Sequence, residues 1–292
     1  MDAQVGVSGM LSPRLIRAPK IHSARSIRVP GYGRVILTRD QGEGSLFSRE
    51  VFATNLSAVH RDGDGKVNNE YDLGSGLVTN VGVTALANDF AWAAPSGASA
   101  ATLKLQNWHA SGTGVTSAAA TDIALGTLAS PTTTSAVAGT QSLISAANSQ
   151  KYQTVATINY TSTLAITEWG LHSAQALSAT TGTPFTAASA TTATVTGTPY
   201  TASSTTVQGE QQLIVKAGTT TVYGLVLSNT TSVLTIPAWY TVAGGLAGST
   251  PGNTEAFTLL PVLFDHKVFS ALNVVSGDSI QFTYQLSVNS GG

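Results

Sequence analysis

The chain has 292 residues, of which only 10% are Asp, Glu, Lys or Arg, against about 25% in an average soluble domain. The formal net charge is −1 and cysteine is absent, which excludes disorder driven by net charge and a disulfide scaffold. No apolar stretch approaches the ~20 residues of a spanning helix, and no signal-peptide core is present, so we expect neither membrane insertion nor export. The abundance of Ser, Thr and Gly is typical of short strands and turns.

The few charges are unevenly distributed along the chain. Residues 1–39 hold seven basic residues and one acidic residue, which gives a net charge of +6. Residues 40–72 carry −4, and no charged residue lies between Glu168 and Glu210. Because prolines recur within the basic segment, a long helix is excluded there. We therefore expect an extended basic N-terminal arm over residues 1–45.

The basic arm is a candidate for assembly contacts. Its cations alternate with apolar residues, and no Trp, Tyr or Phe is interleaved with them in residues 13–22, unlike the cations of single-strand nucleic-acid binders. We expect the arm to dock on an acidic neighbouring subunit or on the adjacent acidic segment, and nucleic acid is not the expected partner. The candidate contact residues are Arg14, Arg17, Lys20, Arg25 and Arg28.

Turn residues and apolar spacing predict the first elements. Residues 34–38 and 45–48 are predicted as short strands. Residues 60–66 contain two Asp-Gly turns, which favour a hairpin over a calcium loop, because Val67 and Leu73 stand where a calcium loop needs Gly and Glu. The spacing of apolar residues over 77–90 predicts one amphipathic helix.

The following elements are predicted in the same way. Residues 103–108 suggest a strand, and Thr116 is a candidate cap for a short helix that ends at Leu125. Alternation that starts at Tyr152 predicts a strand or hairpin ending near Ile166. The clearest strand signal covers 280–288, with 268–275 as the expected partner strand and a turn between them.

The segment 175–261 differs in composition from the rest of the chain. The sequence Gly-Thr-Pro-Phe-Thr-Ala at 182–187 recurs with one change at 197–202; since a solenoid needs at least three repeats, we expect a hairpin or two successive edge strands. Strands are also predicted at 213–215, 222–227 and 233–236.

The predicted fold class is mainly β. We expect an antiparallel β-sandwich or jelly-roll-like core formed by residues 46–174 and 262–292, with one or two short helices. The segment 175–261 is predicted to be an inserted Thr/Ala-rich β lobe, and the N-terminal arm completes the organisation.

No catalytic template matches the sequence. A cysteine nucleophile, a Gly-x-Ser-x-Gly elbow and a phosphate-binding glycine loop are absent, and the histidines are too far apart for a zinc pattern. Glu168, Asp265 and Asp278 are candidate carboxylates for glycoside hydrolysis, which needs a pair about 5–10 Å apart. Each lies in or beside a predicted strand end, where structural pairing is the simpler role. We therefore expect no catalytic residue, metal, cofactor or small-molecule ligand.

The tryptophans leave an alternative of another class open. Trp108, Trp169 and Trp239 are candidate stacking platforms of a carbohydrate-binding or carbohydrate-cleaving β module, which requires exposed rings near a carboxylate pair. The simpler interpretation places Trp108 and Trp169 in the core, each near a histidine (His109 and His172) at the end of a strand. A bacterial surface or adhesin module is a weaker alternative, because it requires export.

Four blocks, in order, resemble a group of tailed-bacteriophage virion structural proteins. They are GLVTNVG at 76–82, NWHASGTG at 107–114 with ATDIAL at 120–125, ITEWGLHSA at 166–174, and LFDHKVFS at 263–270 running into SGDSIQFTY at 276–284. The resemblance covers about 73–174 and 262–290. In that group the third block is followed closely by the fourth, so the resemblance implies that the intervening segment is an insertion here.

The resemblance implies a non-enzymatic structural component of a virion, assembled in the host cytoplasm. Within that class we expect a capsid decoration or cement protein, that is, a minor capsid protein, and a tail, collar or fibre protein is the alternative. The expected partners are copies of the chain itself and other virion proteins, such as major capsid or tail proteins. The low charge agrees with this role, since removing charges from water is the expensive step in burying a surface.

Overall fold

A computed structural model describes the following residues: 3–5, 14–16, 23–29, 33–39, 52–91, 105–129, 136–146, 149–174, 180–189, 192–195, 211–217, 220–226, 228–229, 233–236, 238–248, 250–251 and 255–289. They form 22 strands and one α-helix, and the predicted mainly β class is confirmed. Contacts divide the chain into two compact units, one of residues 54–144 and 152–286 and one of residues 1–53, 145–151 and 287–292.

The N-terminal residues form two antiparallel strand pairs. β1 (Ala3–Val5) pairs with β2 (Arg14–Ile16), and β3 (Ser23–Val29) pairs with β4 (Gly33–Arg39). The predicted strand at 34–38 is confirmed as part of β4, whereas the one predicted at 45–48 lies outside the described residues.

The remaining elements run in chain order from β5 to β22. The first group is β5 (Phe52–Arg61), β6 (Val67–Gly74), β7 (Leu77–Val78), α1 (Asn80–Ala91), β8 (Trp108–Gly112), β9 (Val137–Ala138), β10 (Thr140–Ala146), β11 (Ser149–Asn159) and β12 (Leu164–His172). The second group is β13 (Thr180–Ser189), β14 (Thr192–Val195), β15 (Gln211–Ala217), β16 (Thr220–Leu225), β17 (Ser228–Asn229), β18 (Val233–Thr235), β19 (Trp239–Thr241) and β20 (Glu255–Pro261). The last two strands are β21 (Leu263–Val274) and β22 (Ser279–Asn289).

Three larger sheets organise these strands. The first sheet has the order β10-β11-β22-β5-β6, and the second sheet has the order β7-β21-β12-β8-β9. The third sheet has the order β17-β18-β14-β13-β20-β15-β16-β19. The first and second sheets contribute buried side chains to one hydrophobic core, so they form a β-sandwich.

Aromatic side chains fill the centre of the sandwich. Trp169 of β12 is fully buried, and its ring lies 5.4 Å from that of Tyr284 in a stacked arrangement. Ile280, Phe282 and Tyr284 of β22 are all fully buried, which confirms the predicted alternation. Fully burying an apolar side chain of this size contributes about 1.5–3 kcal/mol, so these positions hold the two sheets together.

The predicted pairing of the last two strands is wrong. β21 and β22 lie in different sheets, so the turn between them crosses the sandwich instead of closing a hairpin. Asp278 stabilises this corner, because its carboxylate accepts hydrogen bonds from the Val275 amide (3.1 Å) and from Nε2 of His60 (2.9 Å). Gly277 has φ +98°, a conformation that disfavours residues with a Cβ atom.

The predicted β5–β6 hairpin and the predicted helix are confirmed, but the start of the helix at residue 77 is wrong, because Leu77 and Val78 pair with β21 as β7. β5 and β6 form the expected hairpin around the Asp-Gly turns. The helix begins at Asn80, because Thr79 caps it: the Thr79 hydroxyl accepts a hydrogen bond from the Gly82 amide (3.0 Å). A Cβ atom on Gly82 would lie 2.4 Å from the Phe264 carbonyl oxygen, so this glycine lets α1 pack directly on β21.

The third sheet is built only from strands that lie between β12 and β21 in the chain. The strands predicted at 213–215, 222–227 and 233–236 are confirmed as β15, β16 and β18. The first copy of the repeat lies in β13, and the second lies outside the described residues. Val81 and Ala85 of α1 pack against this sheet. The boundaries of lobe, core and arm remain predictions.

Candidate functional site

Glu168 is the centre of a buried polar cluster beneath the loop of residues 113–126. Its neighbour Trp169 points into the sandwich core, so the Glu168 side chain leaves β12 on the opposite face. Its Oε1 accepts hydrogen bonds from the amides of Gly114 (2.8 Å) and Thr127 (2.7 Å). Its Oε2 accepts one from the Gly126 amide (3.0 Å). One carboxylate therefore ties together both ends of the loop.

His266 of β21 connects this carboxylate to a second one. Its Nε2 lies 3.1 Å from Oε2 of Glu168, and its Nδ1 lies 2.7 Å from Oδ2 of Asp122. Since carboxylates only accept hydrogen bonds, both ring nitrogens donate and the ring is an imidazolium. Oδ2 of Asp122 also accepts a hydrogen bond from the Ala119 amide (2.7 Å). The three side chains thus hold the middle of the loop as well as its ends.

The charges in the cluster follow from these contacts. Burial alone would raise the pKa of Glu168, but the hydrogen bonds from His266 and from three backbone amides outweigh it, and the pKa lies below its usual value. Burial would lower the pKa of His266, but the hydrogen bonds to Glu168 and Asp122 raise it above its usual value. Both shifts favour the charged forms, the Glu168 carboxylate and the His266 imidazolium.

The predicted helix between Thr116 and Leu125 is wrong, since this segment is an irregular loop closed by the pair Thr113 N to Thr127 O (2.8 Å). The amides near the ends of the loop donate hydrogen bonds to the Glu168 carboxylate, so they do not form helical hydrogen bonds. Gly114 is required for this arrangement, because a Cβ atom there would lie 2.4 Å from Oε1 of Glu168.

Two further histidines, His109 and His172, are buried, and burial lowers the pKa of each to about 3. Nδ1 of His109 accepts a hydrogen bond from the indole of Trp169 (3.2 Å), so its Nε2 carries the proton and donates to Thr154 (3.1 Å). The ring nitrogens of His172 have no hydrogen-bond partner among the described residues. His172 lines a small, mainly apolar cleft of about 70 Å³ beside the 113–126 loop.

Asp265 lies in a different environment, beside Tyr284 in the interior of the sandwich. Its carboxyl group is fully buried and, among the described residues, accepts no hydrogen bond of normal geometry. The Tyr284 hydroxyl and the amides of His266 and Leu77 lie close enough to act on it electrostatically, but burial dominates and raises its pKa to about 7. Burial and the neighbouring Asp265 in turn raise the pKa of Tyr284.

The three carboxylates considered for glycoside hydrolysis occupy separate environments. Glu168 holds the loop, Asp278 holds the β21–β22 corner, and Asp265 lies against Tyr284. Of the three candidate stacking platforms, Trp169 and Trp239 are buried, with exposed fractions of 0% and 4%, and Trp108 is half-buried. Within the described ranges, no group of three or more His, Asp or Glu side chains is arranged to hold a metal ion.

The arm residues predicted to make assembly contacts are not tested by the structure. Arg14 lies in β2, and Arg25 and Arg28 lie in β3, but their side chains are outside the described set. Arg17 and Lys20 lie outside the described residues altogether. In the part of the chain that is described, no helix has the length and apolar character needed to cross a membrane.

Comparison with protein-family models, curated proteins and solved structures found no match to this chain. The structure nevertheless brings parts of all four sequence blocks together, because β12 pairs with β21, β8 pairs with β12 and β7 pairs with β21. Gly114, Asp122, Glu168 and His266 each come from a different block or block segment and meet in one cluster. Sequence reasoning missed His266 and Asp122, and their presence within those blocks was the available signal.

Proposed function

We propose that this chain is a non-enzymatic structural component of a tailed-phage virion, and within the virion a head decoration or cement protein. The virion context rests on the resemblance of the four sequence blocks. One observation in the structure supports a structural role: Glu168, His266 and Asp122 are paired with one another and with backbone amides of the 113–126 loop. The acids and base of the cluster thus fix a loop in one shape.

The fixed loop presents a surface suited to a lasting protein contact. Val115 is 77% exposed, and the neighbouring Thr116 and Ser117 are exposed and uncharged. A partner that covers these residues removes no charge from water. Because the loop is already ordered, association also loses little conformational freedom. Both effects favour a contact that persists in an assembled particle.

Two alternatives remain to be compared with this proposal. A tail, collar or fibre protein would use the same loop in the same way, so only its location in the particle separates it from a decoration protein. A carbohydrate-binding module is less well supported, because the buried rings of Trp169 and Trp239 cannot stack on a sugar in this conformation.

The test is the location of the chain in purified particles of the phage whose genome carries this sequence. Heads and tails are separated, and the chain is quantified in each by mass spectrometry and located by cryo-electron microscopy. We expect it on heads, in a fixed ratio to the major capsid protein. Its recovery in tails would select the alternative location, and its absence from both fractions would overturn the proposal.

A loop variant tests the contact itself. Val115→Asp places a charge on the exposed loop and is expected to reduce incorporation into particles at least tenfold, by about 1.4 kcal/mol or more of lost binding. Val83→Asp is the matched control, since Val83 is also exposed (46%) but lies on α1. Equal incorporation of both variants would contradict a role for the loop.

A further inference from the structure

The two sheets of the sandwich expose four edge strands within the described part of the chain. They are β10 and β6 in the first sheet and β7 and β9 in the second. β7 and β9 have only two residues each, and β6 carries the exposed acids Glu70 and Asp72. Short length and charge are the usual means by which a sheet edge is protected from pairing with another chain.

β10 is the edge without this protection. It has seven residues, Thr140–Ala146, and contains neither a charged residue nor proline. Leu143 is 71% exposed and the adjacent Ile144 is 37% exposed. Because successive side chains point to opposite faces of a sheet, the edge exposes an apolar group on each face. A long, uncharged edge with exposed apolar residues is a site for strand pairing.

One side of β10 is already fixed in position by β11. Nε2 of Gln141 donates a hydrogen bond to the hydroxyl of Tyr152 (2.8 Å), and Nε2 of Gln153 donates one to the hydroxyl of Ser142 (3.4 Å). Tyr152 in turn donates to the Gln106 carbonyl oxygen (2.8 Å). The edge is therefore held in a defined register, and no described strand pairs with its other side.

We propose that β10 is a self-association edge, at which a second copy of this chain adds its own β10 in the antiparallel direction. A two-fold axis at Leu143 places residues 142–144 of one copy opposite the same segment of the other. Like charges opposite each other destabilise a strand pair, and this segment has none. It instead brings Leu143 and Ile144 of both copies to the centre. The same pairing through β6 would bring Glu70 and Asp72 of the two copies together.

The inference rests on the proposed function for its choice of a second copy of the chain as the partner, and it adds the surface through which two copies associate. It can be tested on the purified chain, without virus particles. The purified full-length chain is measured by sedimentation velocity over a concentration series. We expect a dimer in the wild type and, for Leu143→Lys, an at least about tenfold weaker association, because two ammonium groups then meet at the interface. Circular dichroism checks that this exposed position leaves the fold intact.

The matched control is Leu246→Lys, which makes the same change at a leucine of nearly equal exposure (72%) in the segment between β19 and β20. We expect it to leave the dimer unchanged. A wild type that remains monomeric at every concentration would overturn the inference, as would a dimer that Leu143→Lys and Leu246→Lys affect equally. Neither result would bear on incorporation into particles, so failure of the inference and failure of the proposed function can be told apart.

A disulfide experiment tests the register directly. The chain contains no cysteine, so a single cysteine placed in turn at Ser142, Leu143 or Ile144 can only cross-link to another copy. Opposed residues of antiparallel strands have Cα atoms about 4.5–5.5 Å apart, which lies within the range that a disulfide spans. Rapid oxidation to a covalent dimer at one of these positions, but not at Leu246, supports β10 pairing. No cross-linking at any of the three would overturn it.

Discussion

Glu168 and Asp265 are two buried acids on neighbouring strands, and their pKa values shift in opposite directions. Neither side chain is accessible to solvent, with exposed fractions of 1% and 0%, but Asp265 lies deeper in the protein interior. Glu168 accepts three amide hydrogen bonds and one from His266, and its pKa is lowered. Asp265 accepts no hydrogen bond of normal geometry among the described residues, and its pKa is raised to about 7. The donors around a buried carboxylate, together with its depth of burial, decide whether it keeps its charge.

The largest expected effect comes from removing the well-paired acid. Glu168→Ala leaves the amides at both ends of the 113–126 loop and the ring of His266 without their acceptor. Breaking a buried charged network in this way lowers the free energy of unfolding by about 3–5 kcal/mol, measured by chemical denaturation at neutral pH. Glu70→Ala on the exposed face of β6 is the control, with an expected change within about 0.5 kcal/mol. Similar losses in both variants would contradict the structural role of Glu168.

The second prediction concerns Asp265 and has a definite sign with pH. Its folded-state pKa of about 7 lies above its usual value of 3.8, so the folded protein keeps a proton that the unfolded chain loses. The stabilisation of the folded state by protonated Asp265 is fully present below pH 4. It declines by about 1.4 kcal/mol per pH unit up to pH 7, a loss on the order of 4 kcal/mol in total.

The variant Asp265→Asn isolates this contribution, because it keeps the shape of the side chain and removes the titration. The difference in unfolding free energy between wild type and Asp265→Asn should therefore grow in favour of the variant between pH 4 and pH 7. Denaturation series at matched pH values measure it. A constant difference across this range would mean that Asp265 is ionised in the folded state at acidic pH, like Glu168.

The third prediction uses two glycines of the loop. A Cβ atom on Gly114 would lie 2.4 Å from Oε1 of Glu168, whereas one on Gly126 would lie 3.5 Å from Oε2, an ordinary contact. Gly114→Ala should lower the unfolding free energy by about 1–3 kcal/mol through overpacking, and Gly126→Ala should change it by less than about 0.5 kcal/mol. Thermal or chemical denaturation distinguishes them. Equal effects would mean that the carboxylate is not held against Gly114.

The smallest expected effect concerns His172, whose ring is buried without a hydrogen-bond partner among the described residues. Its folded-state pKa of about 3 lies below the usual 6.5, so its contribution to stability is lost as the pH falls from 6.5 towards 3. His172→Leu should match the wild type at pH 7.5 and exceed it by about 1.4 kcal/mol at pH 5.5. An equal stability difference at the two pH values would show that His172 is charged in the folded protein.

The elements predicted correctly from the sequence are those whose structure depends on residues close to one another in the chain. The β5–β6 hairpin follows from its Asp-Gly turns, and the buried face of β22 follows from alternation alone. The 113–126 loop was mispredicted as a helix because its main acceptor, Glu168, lies 41 to 54 residues from the amides that it binds. The partner of β22 was mispredicted because a turn does not reveal whether it closes a hairpin or crosses between sheets.

The polar cluster around Glu168 could be predicted only in part, because its contacts also join residues that are far apart in the chain. Glu168, Asp265 and Asp278 stand out in the sequence as candidate carboxylates, with structural pairing as their simpler role. That role is found for Glu168 and Asp278, but not for Asp265, because nothing in its own segment indicates that Tyr284 will lie beside it. The contact between His266 and Glu168 spans 98 residues, beyond the reach of any local pattern.

The central claim is that Glu168 acts on the loop and not on a substrate. Site-resolved amide hydrogen exchange in the wild type and in Glu168→Gln tests it most directly, because the amide side chain keeps one acceptor oxygen and loses the other. We expect at least one of the amides of Gly114, Gly126 and Thr127 to exchange at least about tenfold faster in the variant, with the amides of β22 unchanged. Unchanged protection at all three loop amides would contradict the account.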